Sequence, residues 1–342
     1  MKAFEMFRIP RLARACLAAL LVTGLAPARA ASVEETSRAL QRASDAVLGI
    51  EVEAVADARS NATLGPQRAG SGVVIGADGL VLTIGYLVLE AEEVVLLPDD
   101  GRRVPARVVA YDVATGFGLV QALAPLRIEA VPLGRSQALG PQEPLVFVSG
   151  GPQGMVTPVR LLERRPFSGS WEYHLEQALY TAPARRDQSG AGLFNALGEL
   201  VGIGSLFLSQ GALADTPRQS GNVFVPAELL APILDELRAR GHSAASERPW
   251  LGVHCQETAA GLRVVRVNDD SPADVAGLLP GDTIERVDGV QVQGLAALYR
   301  ALWSKGPAER EVVLDVLREG ARQTLKVYSV DRMKTFRRAQ GV

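Results

Sequence analysis

From Ala46 to Val55 the chain reads Ala-Val-Leu-Gly-Ile-Glu-Val-Glu-Ala-Val, with apolar and charged residues alternating in its second half. A period of two sends successive side chains to opposite faces, so the segment predicts a half-buried strand. The polar run from Asp57 to Arg68 carries Ser60-Asn61 and Gly65-Pro66 and predicts a loop. As far as about Val225, short β-branched runs then recur between turn residues. They include Gly72 to Ile75 before Asp78-Gly79, Leu80 to Thr83, and Val94 to Leu97 before Asp99-Asp100-Gly101. Val104 to Tyr111, Pro144 to Val148 and Leu200 to Phe207 continue the series. Many short strands at this spacing predict an all-β barrel or sandwich.

The pattern changes at Pro226, which opens a predicted helix through Arg240 with Leu229, Leu230, Ile233, Leu234 and Leu237 as its apolar stripe. Gly241 stops it, and residues 241–249 are small and polar, as in a linker. A second unit runs over residues 250–331, with strands, a short helix near Ala273, a helix from about Leu295 to Trp303 and two final strands. Residues 332–342 form a basic tail expected to be loose. No internal repeat is visible in the residues.

The first thirty residues stand apart. Lys2, Arg8, Arg11 and Arg14 precede an apolar run from Ala15 to Leu25, and Ala28-Arg29-Ala30 follows. A basic start, a short apolar stretch and a small-x-small site predict a cleaved secretory signal peptide over residues 1–30. The run is well short of the ~20 residues a spanning helix needs. The alternative is an uncleaved anchor holding the protein at the inner membrane. Without residues 1–30 the chain keeps 31 basic and 37 acidic residues, a net charge of −6. An acidic chain without a basic block offers no footprint for nucleic acid or for a membrane surface. Hydrophobic residues at 47% and charged residues at 22% suit a soluble globular protein.

Cys16 leaves with the signal, so Cys255 is a lone thiol without an internal disulfide partner and is expected to be a small buried hydrophobe. No Cys/His cluster has metal-ligand spacing, so neither a metal nor a cofactor is expected.

Longer motifs carry a family resemblance. Residues 70–91, GSGVVIGADGLVLTIGYLVLEA, resemble the opening of the HtrA family of DegP/DegS-like serine proteases, where such a segment leads to the catalytic histidine. Residues 101–121, GRRVPARVVAYDVATGFGLVQ, resemble the approach to the family's aspartate. Residues 133–154 are similar to its next strand pair, and TAPARRDQSGAGLFNALGELVGIGS at 181–205 to its serine loop. NDDSPADVAGLLPGDTIERVDGVQV at 268–292 resembles the PDZ fingerprint of bacterial proteases. The resemblance covers roughly residues 33–331. It implies a mainly β chain: a trypsin-like pair of six-stranded β-barrels at 33–240, the linker, and a PDZ domain at 250–331 with two short helices.

The same resemblance locates the catalytic positions and shows how they depart from the family. A serine protease needs an imidazole to take the hydroxyl proton, a carboxylate to orient that imidazole, and backbone N–H groups for the oxyanion. The family's serine falls at Ser189. Its histidine falls at Tyr86, its aspartate at Gly116, and the glycine of its oxyanion loop at Asp187. Asp112 matches an upstream turn rather than the acid, and the loop before Ser189 is one residue shorter than in the family. A phenol with pKa near ~10 is a poor base at neutral pH, and glycine has no carboxylate. His174 precedes the serine loop and is expected to be a satisfied histidine; His242 lies in the linker and His254 beside the expected peptide groove.

PDZ domains bind peptides as an added strand whose C-terminal carboxylate meets backbone N–H groups. By resemblance the carboxylate loop is Trp250-Leu251-Gly252-Val253. The opposing wall is the helix carrying Leu295, Leu298, Tyr299 and Leu302, with Leu298 and Leu302 as its groove residues. Three functions fit: a periplasmic pseudoprotease binding peptide or protein C-termini or unfolded chains, a serine endopeptidase with non-standard catalysis, and a structural subunit assembling with active homologues. Tyr86 and Gly116 favour the first and third. The resemblance implies a homotrimer, although no aromatic trimer signature stands near the mature N-terminus.

Overall fold

The structure, a computed structural model, describes residues 32–209 and 219–337. The predicted signal segment at residues 1–30 lies outside them.

The first barrel is built from β1 (Val47–Ala54), β2 (Gln67–Val74), β3 (Leu80–Ile84), β4 (Ala91–Leu97), β5 (Val104–Tyr111) and β6 (Phe117–Ala122). They close in the order β1-β2-β3-β6-β5-β4. In β1 the alternation reads out as expected: Leu48, Ile50, Val52 and Ala54 are buried, while Glu53 is exposed. The second barrel uses β7 (Pro144–Val148), β8 (Val156–Gly169), β9 (Tyr173–Ala182), β10 (Gly192–Phe194), β11 (Leu200–Leu208) and β12 (Gly221–Pro226). Its closed order is β7-β8-β9-β12-β11-β10, which repeats that of the first barrel strand for strand. The duplication was invisible in the residues because turns and alternation, not residue identities, specify such a path. One apolar cluster joins the barrels, with Leu48, Val73 and Phe117 from one side and Tyr180, Phe194 and Val225 from the other.

A helix α1 (Val33–Asp45) precedes the barrels. Ser32 and Glu35 close its N-terminus reciprocally in a capping box. Within the segment expected to be a loop at 57–68, residues Asn61–Leu64 form a helical turn, α2. Tyr86 sits on another short turn, α3 (Gly85–Val88). The continuous helix expected from Pro226 is instead two 3₁₀ turns, Ala227–Leu229 and Ala231–Ile233, followed by α4 (Leu234–Arg240). Pro232 lacks the N–H that an uninterrupted helix would use.

The last unit has β13 (Pro249–Trp250), β14 (Val253–Thr258), β15 (Gly261–Val267), a short α5 (Pro272–Val275), β16 (Thr283–Val287), β17 (Val290–Gln291), α6 (Leu295–Trp303), β18 (Glu311–Arg318), β19 (Ala321–Tyr328) and β20 (Val330–Asp331). Its main sheet runs β14-β15-β16-β18-β19, so β14 is an edge strand. β13 pairs with β20 and clasps the two ends of the unit.

The linker, and the described residues of the tail that was expected to be loose, are packed. In the linker, Ser243, Ser246 and Arg248 are buried. Asp112 Oδ1 accepts from the Ser243 N–H at 2.9 Å and hydroxyl at 2.6 Å, and from the Ser246 hydroxyl at 2.6 Å. Its Oδ2 accepts from the Thr115 N–H and hydroxyl. Burial opposes the Asp112 charge, but these donors outweigh it and hold the carboxyl below its usual range. In the tail, Phe336 packs edge-on against Tyr111 with ring centroids 5.3 Å apart, and Arg337 donates its N–H to Glu90.

Candidate active site and peptide groove

Ser189 lies in the loop between β9 and β10, where the two barrels meet, and its carbonyl accepts from the Ser71 N–H of β2 at 2.8 Å. The Tyr86 hydroxyl stands 2.8 Å from Ser189 Oγ and 2.8 Å from the Ser205 carbonyl oxygen. A carbonyl only accepts, so the phenol proton belongs to Ser205 and the Ser189 hydroxyl donates to the phenol oxygen. Burial pushes the Tyr86 phenol up to about 12. At pH 7 roughly one molecule in 10⁵ would then hold it ionised. The residue beside Ser189 is therefore a neutral partner that already uses its proton elsewhere, not a base waiting for one.

Arg68 explains why Tyr86 holds its place. Although only 7% exposed, it donates to the Tyr86 and Leu89 carbonyls, to the Gly65 carbonyl and to Ser60 Oγ. One guanidinium thus ties the turn carrying Tyr86 to the 57–68 segment. Nothing in the sequence marked Arg68 or Ser205.

Gly116 neighbours this turn, its carbonyl accepting from the Gly85 N–H at 2.7 Å. It adopts φ +84°, and a Cβ built on it would lie 2.7 Å from the Tyr173 hydroxyl. Tyr173 donates that hydroxyl to the Thr115 carbonyl at 2.7 Å. The space a carboxylate would need is filled by a buried phenol.

Asp187 is half-buried and held by its neighbours. Its carboxylate accepts from the Ser149 hydroxyl at 2.5 Å and from both Nε and Nη2 of Arg185. Burial works against the charge, yet these contacts keep the carboxyl below its usual value. The position of the family's oxyanion-loop glycine thus carries a side chain whose carboxylate is paired with Arg185 and Ser149, in place of a residue free to adopt the backbone shape that presents an N–H there.

The histidines stay apart from Ser189. His174 Nδ1 pairs with Ser168 Oγ at 2.8 Å and its Nε2 lies 3.2 Å from Glu176. His242 contacts the Ser243 carbonyl, and His254 contacts Arg266. Cys255 is 1% exposed, and burial pushes its thiol up to about 12. Among the described residues no cluster of metal-ligating side chains forms, and no helix is long and apolar enough to cross a membrane.

At the PDZ loop, Gly252 takes φ +84°, and a Cβ there would meet the Ser271 Cβ at 2.3 Å. The amides of Leu251, Gly252 and Val253 converge on one point. A carboxylate of the chain itself, that of Glu172 at the β8–β9 turn, stands there. Trp250 belongs to the β13–β20 clasp. Leu298 and Leu302, expected on the groove wall, are 1% and 0% exposed within the domain core. The α6 side chain that meets the β8–β9 turn is Tyr299. Spacing on α6 could not separate core from groove, because both lie on its apolar side.

Two six-stranded antiparallel barrels of equal topology, with a serine between them and a PDZ-like unit behind, define a trypsin-type peptidase fold joined to a PDZ domain. Family models agree: residues 70–203 match the trypsin-like peptidase domain and residues 249–328 a PDZ domain. A relative from Ectopseudomonas mendocina, named "Probable periplasmic serine endoprotease DegP-like", is 31% identical over 279 residues, covering 76% of this chain and 56% of its own length. A protein of the same name from Brucella suis is 28% identical over 278 residues, covering 77% and 52%. The chain spans little more than half the length of these relatives. Among solved structures, the HtrA-type protease AlgW with a decapeptide superposes with a TM-score of 0.55 at 21% identity, over 87% of this chain and 98% of that one. A serine endoprotease from Yersinia pestis gives 0.54 at 20% identity, over 86% and 97%. At such identities the superpositions establish the fold. The chain belongs to the HtrA family.

Proposed function

We propose that this chain is an exported HtrA-family pseudoprotease, a periplasmic regulatory protein that binds peptide or protein C-termini through its PDZ domain and does not cleave them. The observation that carries this reading is the Tyr86 phenol, hydrogen-bonded to Ser189 and Ser205 where the family's base would stand. Losing one triad member costs on the order of 10⁴ to 10⁶ in rate. Here base and acid are both replaced, and Asp187 stands in place of the oxyanion-loop glycine. The PDZ match and the AlgW structure with a bound decapeptide support the binding half of the reading. The names of the DegP-like relatives support the periplasm, and the basic start with Ala28-Arg29-Ala30 supports export and a mature N-terminus at Ala31.

The mature protein is expected neither to label with a fluorophosphonate probe nor to cleave unfolded casein. Cleavage that disappears in Ser189→Ala would overturn the reading. Mass spectrometry of the native protein is expected to find Ala31 as the first residue; retention of residues 1–30 would replace a free periplasmic protein with an anchored one.

A further inference from the structure

The amides of Leu251, Gly252 and Val253 are what a PDZ loop offers to the C-terminal carboxylate of a peptide. In this chain Glu172 Oε1 accepts from Gly252 at 2.7 Å and Val253 at 3.0 Å, while Oε2 accepts from Leu251 at 3.1 Å. Glu172 is 1% exposed. A buried carboxylate is tolerated only where donors replace its lost hydration, and here those donors are the PDZ loop.

The surrounding contacts hold the β8–β9 turn in this position. The Glu172 N–H donates to the Tyr299 hydroxyl at 3.1 Å, and that hydroxyl donates to the Gly169 carbonyl at 2.6 Å. Arg332 donates to the Trp171 carbonyl at 3.1 Å. Arg300 of α6 grips Glu176 of β9 through two nitrogens. Glu172 itself takes φ +60°, a left-handed conformation that a glutamate adopts only when its surroundings impose it. The turn bends so that its carboxylate enters the loop.

We propose that Glu172 is an internal ligand of the PDZ carboxylate loop, closing the groove to peptide C-termini until the β8–β9 turn is lifted out. The proposal rests on the reading of this domain as a binder of C-termini. A peptide carboxylate and Glu172 compete for the same three amides, so the apparent affinity of a peptide falls by the fraction of molecules that are open.

The test uses the full mature chain, wild type, Glu172→Gln and Glu172→Gly. Glycine removes the carboxylate and is at ease at positive φ, so this variant keeps the turn without its ligand. Two readouts are taken: hydrogen exchange at the Leu251, Gly252 and Val253 amides, and binding of a pool of fluorescent decapeptides with apolar C-terminal residues and free or amidated ends. Faster exchange in both variants, with free-acid peptides bound about tenfold or more tighter by Glu172→Gly, is the expected result. Faster exchange with no peptide bound by any form supports the internal ligand and removes the peptide-binding reading instead. Unchanged exchange, or faster exchange with peptides bound equally by wild type and variant, overturns the proposal.

Discussion

Restoring the two absent triad side chains, as Tyr86→His with Gly116→Asp, is expected to yield a less stable and inactive protein. Gly116 adopts φ +84°, where an L side chain costs ~1–2 kcal/mol. Its new Cβ would stand 2.7 Å from the Tyr173 hydroxyl. Relieving that overlap pulls the hydroxyl from the Thr115 carbonyl and leaves a buried polar group unpaired, another ~1–3 kcal/mol. The combined loss of roughly 2–5 kcal/mol lowers Tm by about 4–20 °C for a domain of this size. Catalysis does not follow either, because Asp187, anchored by Ser149 and Arg185, still occupies the place of the oxyanion-loop glycine. One oxyanion donor is worth about 10²–10³ in rate. Thermal melts and casein hydrolysis are measured on wild type, Gly116→Ala, the double variant, and the double variant with Tyr173→Phe. The last removes the colliding hydroxyl and is expected to recover part of the Tm without activity. A double variant that melts within about 2 °C of wild type and cleaves casein at the rate of an active relative refutes both the steric and the oxyanion reasoning.

Two further outcomes are expected. Asp112 has a lowered carboxyl pKa in the folded chain, so its stabilising contribution is present above its unfolded value near 3.8 and is lost as pH falls through the lower folded value. Thermal melts between pH 6 and 3 should show Asp112→Asn less stable than wild type at pH 6 and converging with it at the acid end; parallel curves would remove Asp112 as the titrating latch on the linker. Gly252→Val, at φ +84° and against Ser271, should cost about 2 kcal/mol or more and speed exchange at Leu251 and Val253; an unchanged melt and exchange pattern would show that the loop tolerates a side chain.

Much of the fold was legible because its signals are local. The strands Val104–Tyr111 and Pro144–Val148 and the helix Leu295–Trp303 appear with the bounds their patterns predicted, since alternation, β-branching and turn residues act within a few positions. Helix α1 also carries a local signal, Ser32 and Glu35 at capping-box spacing. The positions of Ser189 and Tyr86 were legible through the family's motifs, and the structure places their hydroxyls 2.8 Å apart. What stayed hidden depends on partners far along the chain. Arg68 ends a polar run, Ser243 and Ser246 lie in a linker-like stretch, and nothing in the sequence marks Glu172. Their partners are 18, 131, 134 and 79–81 positions away, and no periodicity reports such pairs.

The segment from Asp112 to Gly116 links these features. In the family pattern it leads to the catalytic acid. Here it fastens the last domain: Asp112 holds Ser243 and Ser246, the Val113 carbonyl accepts from Arg248 at 3.0 Å, and the Ala114 N–H donates to Ser246 Oγ. The Thr115 carbonyl takes the Tyr173 hydroxyl, and Gly116 leaves room for that ring because it has no side chain. Tyr173 in turn stacks on Trp171 at 6.2 Å with planes 7° apart, on either side of Glu172. The absence of a carboxylate at 116 and the seating of Glu172 in the PDZ loop are therefore neighbours in one packed arrangement. A side chain at 116 would press on Tyr173 and, through it, on the turn that presents Glu172. A chain of contacts therefore joins the acid position of the barrel to the carboxylate loop of the PDZ domain, and the Gly116 variants are expected to speed hydrogen exchange at the Leu251, Gly252 and Val253 amides as well as lower Tm; unchanged exchange would show that the two positions are not coupled.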